Sequence, residues 1–233
     1  MSVAPRISAA APHLRALRAF VSREQTKLAG EVCEMCSIAL SEEHSHLVNM
    51  ESRNLVCSCR ACYLLFPAEA AAQGRYRAVP DRYLHDSGFA LTQSAWDAFQ
   101  IPVRIAFFFY NSLIGRTVAL YPGPAGATES MLDLRAWDDL RAANPMLETM
   151  RPDVEALLVY GRRNGEFDCF IVPIDACYEL TGTIRRRWKG FDGGEQAWND
   201  VDAFFDRLRK RSQPAAFCGQ LVRNGDLRPE TDR

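Results

Sequence analysis

Two cysteine pairs, Cys33-Glu34-Met35-Cys36 and Cys59-Arg60-Ala61-Cys62, decide how the N-terminal part of this chain can fold. A Cys-x-x-Cys turn places two sulfurs on one side of the backbone, so two such turns supply the four thiolates of a tetrahedral zinc site. The intervening residues 37–58 are long enough for a hairpin and short enough to stay compact. This spacing predicts a tetracysteine zinc module over residues 31–66.

Five cysteines compete for four ligand positions, because Cys57 precedes the second pair by two residues. The second pair leads into a predicted helix, whose N-terminal amides and dipole stabilise thiolates. Cys57 is then the alternative ligand, and His44 and His46 are weaker candidates. We assign as ligands the two cysteines of each pair: Cys33, Cys36, Cys59 and Cys62.

The expected cofactor is structural Zn²⁺, which favours a closed set of four thiolates. A rubredoxin-like iron centre takes the same four ligands and is the leading alternative metal. An iron–sulfur cluster that also uses Cys57 comes third, and buried cysteines without a metal come last. A module of this size buries little core of its own, so metal binding would supply much of its folding free energy.

The order of the predicted elements in the module is knuckle, hairpin, knuckle and helix, which resembles a treble-clef finger. His46–Met50 and Asn54–Cys57 are the predicted strands of its hairpin, and a short helix follows from Arg60. The remaining ranges are a helix-containing segment 1–30, a linker 67–80, an α+β domain 81–212 and a flexible tail 213–233.

Two predicted strand pairs form the centre of the α+β domain. Val103–Tyr110 pairs with Arg116–Tyr121, and Val154–Tyr160 pairs with Phe167–Pro173 across Asn164-Gly165, a strong hairpin signal. Hairpins with interleaved helices predict an antiparallel sheet with flanking helices. Four helices are expected in this domain. One is capped by Thr92 and carries Trp96 and Phe99, and the others are at Leu132–Ala143, Asp175–Lys189 and Glu195–Arg211.

Composition and charge exclude several classes of protein. The chain has 233 residues, with 28 Lys and Arg against 29 Asp and Glu, so it lacks the basic excess typical of proteins that grip nucleic acid by charge. Basic runs at Arg185–Lys189 and Arg207–Arg211 are favoured by the helix dipole. The sequence shows neither an apolar run of about 20 residues nor a secretory signal. We expect a cytoplasmic protein without membrane contact, for which nucleic acid is a minor alternative.

No catalytic motif stands out, which leaves enzymatic activity uncertain. The Gly-rich stretch Gly123–Ser130 is more typical of a turn than of a phosphate-binding loop, because it lacks the Gly-Lys-Ser/Thr ending. If the domain carries a pocket, this stretch is where we expect it. Cys169 and Cys177 are expected to be small core residues, and Cys218 lies in the tail.

Several of these stretches carry a family resemblance. They are the two cysteine knuckles with residues 57–66, residues 74–83, and residues 121–130. Over most of residues 30–210 the chain resembles an uncharacterised bacterial family whose genes tend to lie in clusters for actinobacterial-type, oxygen-tolerant nickel–iron hydrogenases. The resemblance implies an accessory role in hydrogenase maturation or assembly, with a hydrogenase subunit or maturation factor as partner. It carries neither an activity nor a catalytic residue.

Four functions follow in order of preference. The first is a zinc-binding accessory protein that acts by protein–protein contacts. The second is a redox or metal-handling protein with iron in the cysteine site or an exchangeable Cys57. The third is a nucleic-acid-binding zinc-finger protein, and the fourth is an enzyme with its pocket near Gly123–Ser130.

Overall fold

The computed structural model describes residues 31–66, 74–123, 125–131, 134–162, 164–189 and 193–215, and they form two sheets. The small sheet is antiparallel and has the strand order β2-β1-β3. Its strands are β1 (Ser45–Asn49), β2 (Leu55–Ser58) and β3 (Tyr76–Ala78).

The large sheet has seven strands in the order β10-β4-β9-β8-β5-β6-β7. Every neighbouring pair is antiparallel except β10 with β4, which is parallel. Its strands are β4 (Leu84–His85), β5 (Ile105–Asn111), β6 (Arg116–Gly123), β7 (Gly126–Ser130), β8 (Glu155–Gly161), β9 (Phe167–Pro173) and β10 (Gln213–Pro214).

Five α-helices and a short 3₁₀ helix at Pro145–Thr149 complete the described part of the chain. Thr92 begins the second helix as its cap, because its Oγ1 accepts a hydrogen bond of 3.2 Å from the Ala95 amide. The helices are α1 (Arg60–Tyr63), α2 (Gln93–Ala98), α3 (Leu134–Ala143), α4 (Ile174–Arg187) and α5 (Gly194–Arg211).

The centre of the large sheet is buried on both faces, as its uninterrupted apolar strands predict. Side chains of α4 and α5 pack on the face that Phe107 contributes to, and Trp96 of α2 and Trp137 of α3 pack on the opposite face. Phe108 stacks on Trp137 with ring centroids 5.3 Å apart. Because consecutive strand residues alternate between faces, one run of phenylalanines supplies both cores.

The α+β architecture with an antiparallel sheet and flanking helices is confirmed. The predicted hairpins pair as β5–β6 and β8–β9, and the turn between the latter has Gly165 at φ 92°, which favours glycine. The Gly-rich stretch near residue 123 forms a hairpin as well, since Gly123 pairs with Gly126 and the chain continues as the edge strand β7.

Three predicted segments, the N-terminal segment, the linker and the tail, lie wholly or partly outside the described residues. Residues 1–30, with their predicted helix, lie outside the described residues, as do 67–73 and 216–233. Within the expected linker 67–80, residues 76–78 form β3 and pair with β1. At the start of the expected tail, residues 213–214 form β10 and pair with β4. Among the described helices, none has the length and apolar character needed to cross a membrane.

One buried carboxylate joins the small sheet to the large domain. The side chain of Asp153 is 1% exposed and accepts hydrogen bonds from Arg53 Nη1 at 2.5 Å and from Arg77 Nη1 at 2.7 Å. The Ser112 amide also donates to it, at 2.9 Å. Two cations and an amide thus compensate the desolvation of this carboxylate. Val48 of β1 adds an apolar contact, since it belongs to the core that α4 and α5 cover.

We expect Asp153→Asn to destabilise the protein by about 3 kcal/mol, because it leaves two partly buried guanidinium groups without a counter-charge. Asn tolerates the positive φ of 67° at this position, so the change tests charge rather than backbone strain. Urea unfolding measures the free energy, and hydrogen exchange in β1 and β2 should accelerate. Glu129→Gln is the control, since it removes an exposed ion pair with Arg116 and should cost less than about 1 kcal/mol. Equal losses in both variants would contradict the role of Asp153.

Candidate metal centre

Four cysteine sulfurs meet at one end of the small sheet. Their Sγ atoms all lie within 4.8 Å of one another, and all four cysteines are free thiols. The Cys36 and Cys59 sulfurs are 3.7 Å apart. With Zn–S bonds of about 2.3 Å, the sulfurs of a tetrahedral zinc site lie about 3.8 Å apart. The donor type and spacing therefore fit a metal ion held by Cys33, Cys36, Cys59 and Cys62.

The first knuckle is shaped by backbone hydrogen bonds that turn the chain back on itself. The Ser37 amide donates to the Cys33 carbonyl at 2.7 Å, and the Cys33 amide donates to the Ile38 carbonyl at 2.8 Å. Glu34 then fixes this turn to β2, because its amide donates to the Cys57 carbonyl at 2.9 Å and its Oε1 accepts from the Cys57 amide at 2.8 Å. These hydrogen bonds fix the first knuckle against β2.

The second knuckle lies where β2 passes into α1. Cys59 is the N-cap of this helix, and its Sγ accepts a hydrogen bond of 3.4 Å from the Cys62 amide. An amide that donates to sulfur stabilises the thiolate that a metal requires. The order of knuckle, hairpin, knuckle and helix is present as the sequence predicts.

The thiols of Cys33 and Cys62 differ in how readily they ionise. Burial opposes ionisation of Cys33, but backbone hydrogen bonds at Cys59, Cys36 and Met35 outweigh it and lower its pKa to about 6. Side-chain hydrogen bonds with Cys36 and Cys59 raise the pKa of Cys62 to about 12. The protein thus favours a thiolate at Cys33 and disfavours a thiolate at Cys62. A bound divalent cation would stabilise both thiolates, so metal binding would release the proton of Cys62.

Cys57 does not join this group of sulfurs. It lies instead with two histidines, and the donor atoms of His44, His46 and Cys57 are within 4.8 Å of one another. Burial and the charges of Glu31 and Glu34 raise the pKa of the Cys57 thiol. The structure therefore divides the five clustered cysteines into a group of four and a single one. Two cysteines elsewhere are buried in β9 and α4 as expected, Cys169 and Cys177. Cys218 lies outside the described residues.

A groove of about 880 Å³ is lined by residues of both the cysteine module and the large domain. Its lining includes His44 and His46 of the module and Asp175 and Glu179 of α4. Sequence reasoning missed this groove, because its lining residues are distant in sequence. The available signal was the pair of histidines two residues apart, His44 and His46, between the two cysteine knuckles.

Part of each basic run takes part in ion pairs within the protein. Several of their guanidinium groups have carboxylate partners on neighbouring elements. These pairs are Arg187–Asp200 at 3.1 Å, Arg207–Glu179 at 3.7 Å, Arg209–Asp168 at 3.1 Å and Arg211–Asp81 at 2.6 Å. Their placement supports the structural explanation of these runs.

Comparison with known proteins places most of the chain in one family. Residues 32–212 match the model of a family of unknown function (DUF5947), and this range includes both knuckles and both sheets up to the end of α5. No curated protein and no solved structure matches the chain. The part of the resemblance that concerns an uncharacterised family is thereby confirmed.

We expect Cys62→Ser to lose one equivalent of metal relative to the parent protein, because a tetrahedral thiolate site with three sulfurs binds far more weakly. Without the metal, the small sheet should become sensitive to protease within residues 31–66, since little core of its own supports it. Elemental analysis and limited proteolysis measure the two effects. The control Cys177→Ala removes a sulfur from the core of α4 and should leave the metal content unchanged. Full metal retention in Cys62→Ser would contradict the ligand assignment.

Proposed function

This chain belongs to the DUF5947 family of unknown function, and we propose that it is a zinc-binding accessory protein that acts by contacting another protein. One observation carries the proposal. The module that gathers four cysteine sulfurs within 4.8 Å also exposes a concentration of large apolar side chains on the same two knuckles. A metal that holds the knuckles together would therefore also hold together an apolar surface.

Zinc is the metal that this donor set favours for a structural role. Four thiolates form a closed site, and a d¹⁰ ion without redox chemistry adds rigidity without reactivity. The arrangement of elements resembles a treble-clef finger, in which the metal joins a knuckle to the start of a helix. In this chain the metal would supply cross-linking of Cys33 and Cys36 to Cys59 and Cys62, and no reaction.

The exposed apolar side chains of the module form what we call the knuckle patch. Half of the ten large apolar side chains that are exposed in the described residues belong to this patch. Ile38 is 57% exposed and Leu65 is 67% exposed. An apolar surface that is contiguous marks a site of protein contact, and we infer that these side chains on the two joined knuckles form one. The members of the patch are Val32, Met35, Ile38, Leu64 and Leu65.

The charge of the chain and its family resemblance indicate the class of partner. The chain carries a formal charge of -1, and Arg187, Arg209 and Arg211 of its basic runs are paired with carboxylates, so charge favours nucleic acid little. An apolar patch suits a protein surface. The sequence resemblance supplies the class of partner, which is a nickel–iron hydrogenase subunit or one of its maturation factors.

The first test is the identity of the metal. Protein purified without oxygen is expected to contain zinc and to show no visible absorption, because a d¹⁰ ion has no d–d transitions. Elemental analysis with an absorption spectrum measures both. Iron with thiolate charge-transfer bands would contradict the structural role and favour the rubredoxin-like alternative.

The second test is partner binding by the knuckle patch. The double substitution Ile38→Asp with Leu65→Asp should weaken binding to purified hydrogenase subunits or maturation factors by about 30-fold or more, since burying two carboxylates in an apolar contact costs upward of about 2 kcal/mol. Binding is measured by titration calorimetry with the parent protein alongside.

A matched control tests whether the loss of binding is specific to the knuckle patch or follows from changing any exposed apolar residue. Leu113 lies in the β5–β6 turn and is 68% exposed, so Leu113→Asp should leave binding unchanged. The metal content of the double variant must equal that of the parent protein, which shows that its knuckles are intact. Equal affinity for all three proteins would contradict the docking role of the patch.

A further inference from the structure

Beyond the four-cysteine group, we propose that His44, His46 and Cys57 form a second metal site, which takes a divalent transition-metal ion of the zinc class and leaves one coordination position open. This site goes beyond the proposed docking function and does not depend on it. Its three donor atoms lie within 4.8 Å of one another in the structure. None of the three is needed as a ligand of the four-sulfur group.

The pairing of β1 with β2 creates this cluster. His46 and Cys57 are directly opposite each other in the antiparallel register, so their side chains lie on one face. His44 immediately precedes β1, and its donor atom still lies within 4.8 Å of those of His46 and Cys57. The two imidazole rings have centroids 4.7 Å apart. A hairpin that places two histidines beside one cysteine offers three donors from a rigid scaffold.

Both histidines are oriented in the manner of metal ligands. The Nδ1 atom of His46 lies 2.8 Å from Asp175 Oδ2, and the Nδ1 atom of His44 lies 2.9 Å from the Ser41 carbonyl oxygen. An acceptor at Nδ1 holds the proton there and leaves the lone pair on Nε2. Such carboxylate and carbonyl partners behind the imidazole are the usual outer shell of metal-binding histidines. Asp175 and Ser41 thus act as positioning residues.

An unsatisfied nitrogen points to a missing ligand. The His44 side chain is 6% exposed, and its Nε2 finds no hydrogen-bond partner among the residues that the structure describes. Glu31 Oε2 lies 3.5 Å away, which is too long for a hydrogen bond. Leaving such a buried polar atom unpaired costs about 1–3 kcal/mol. A metal ion at this nitrogen would remove that cost.

The donor set defines the class of ion. Two imidazoles and a thiolate suit borderline divalent ions such as zinc or cobalt, and they disfavour magnesium and calcium, which take oxygen ligands. Three protein ligands with an open position are typical of sites that exchange a ligand. The groove lined by His44 and His46 provides access for it.

A purely structural role for these residues must be distinguished, since the His46–Asp175 contact also joins the small sheet to α4. Metal stoichiometry makes this distinction, because a structural contact does not bind an ion. The full chain is stripped with a chelator under reducing conditions and titrated with Co²⁺, whose d–d and thiolate bands report the ligand sphere. Zn²⁺ titration calorimetry gives the equivalents independently.

The parent protein is expected to bind two equivalents, and His44→Gln with His46→Gln is expected to bind one. Cys57→Ala retains the His46–Asp175 contact and should also bind one equivalent, which covers the case in which the double variant does not fold. Asp175→Asn should keep two equivalents but bind the second about 10-fold more weakly. The control His85→Gln alters a histidine that stacks on Phe170 in the large domain and should bind two.

The outcomes separate this site from the proposed structural zinc. One equivalent in the parent protein that only Cys62→Ser removes would overturn the second site and leave the structural zinc in place. Two equivalents that persist in Cys57→Ala and in the folded histidine variant would also overturn it. Loss of one equivalent in those variants, with the other lost in Cys62→Ser, supports both sites independently.

Discussion

The hydrogen-bonded carboxylate of Asp153 is the interaction on which the joint between the two parts of the molecule depends. Among the described residues, the cysteine module has a separate cluster of three buried apolar side chains, Leu47, Val56 and Phe66. That area supplies a few kcal/mol at best, which is less than the ordering of its backbone costs. At one end of the small sheet, Arg53 and Arg77 fix it to the large domain through Asp153. At the other end, a metal ion at the four cysteine sulfurs would hold the two knuckles together.

Local patterns predicted most of the fold, and pairing between distant residues accounts for the remainder. The strands β5, β6, β8 and β9 are long and apolar, and their hairpin turns carry sequence signals, so the sequence was sufficient to find them. β3, β4 and β10 have two or three residues each and exist only because a partner strand lies beside them. Tertiary context decides such elements, and no single-sequence pattern marks them.

The distinction between local patterns and pairing of distant residues also applies to the candidate metal ligands. Each Cys-x-x-Cys turn is a local motif, so the grouping of Cys33, Cys36, Cys59 and Cys62 was readable from spacing. The cluster of His44, His46 and Cys57 depends on the register that sets His46 opposite Cys57. Register follows from the turn and the buried face of the hairpin, neither of which is fixed by the sequence of one strand. Asp175, more than a hundred residues away, could be found only from the fold.

The parallel pairing of β4 with β10 has a consequence for how the large domain could have acquired its companion. The chain enters this sheet at Leu84 and leaves it at Pro214, and these strands are neighbours. A domain whose entry and exit lie side by side can be joined to another unit, or inserted into one, without rerouting its interior. The large sheet is thus built as a transferable unit. The small sheet lacks this independence, because Asp153, the counter-charge of its Arg53 and Arg77, belongs to the large domain.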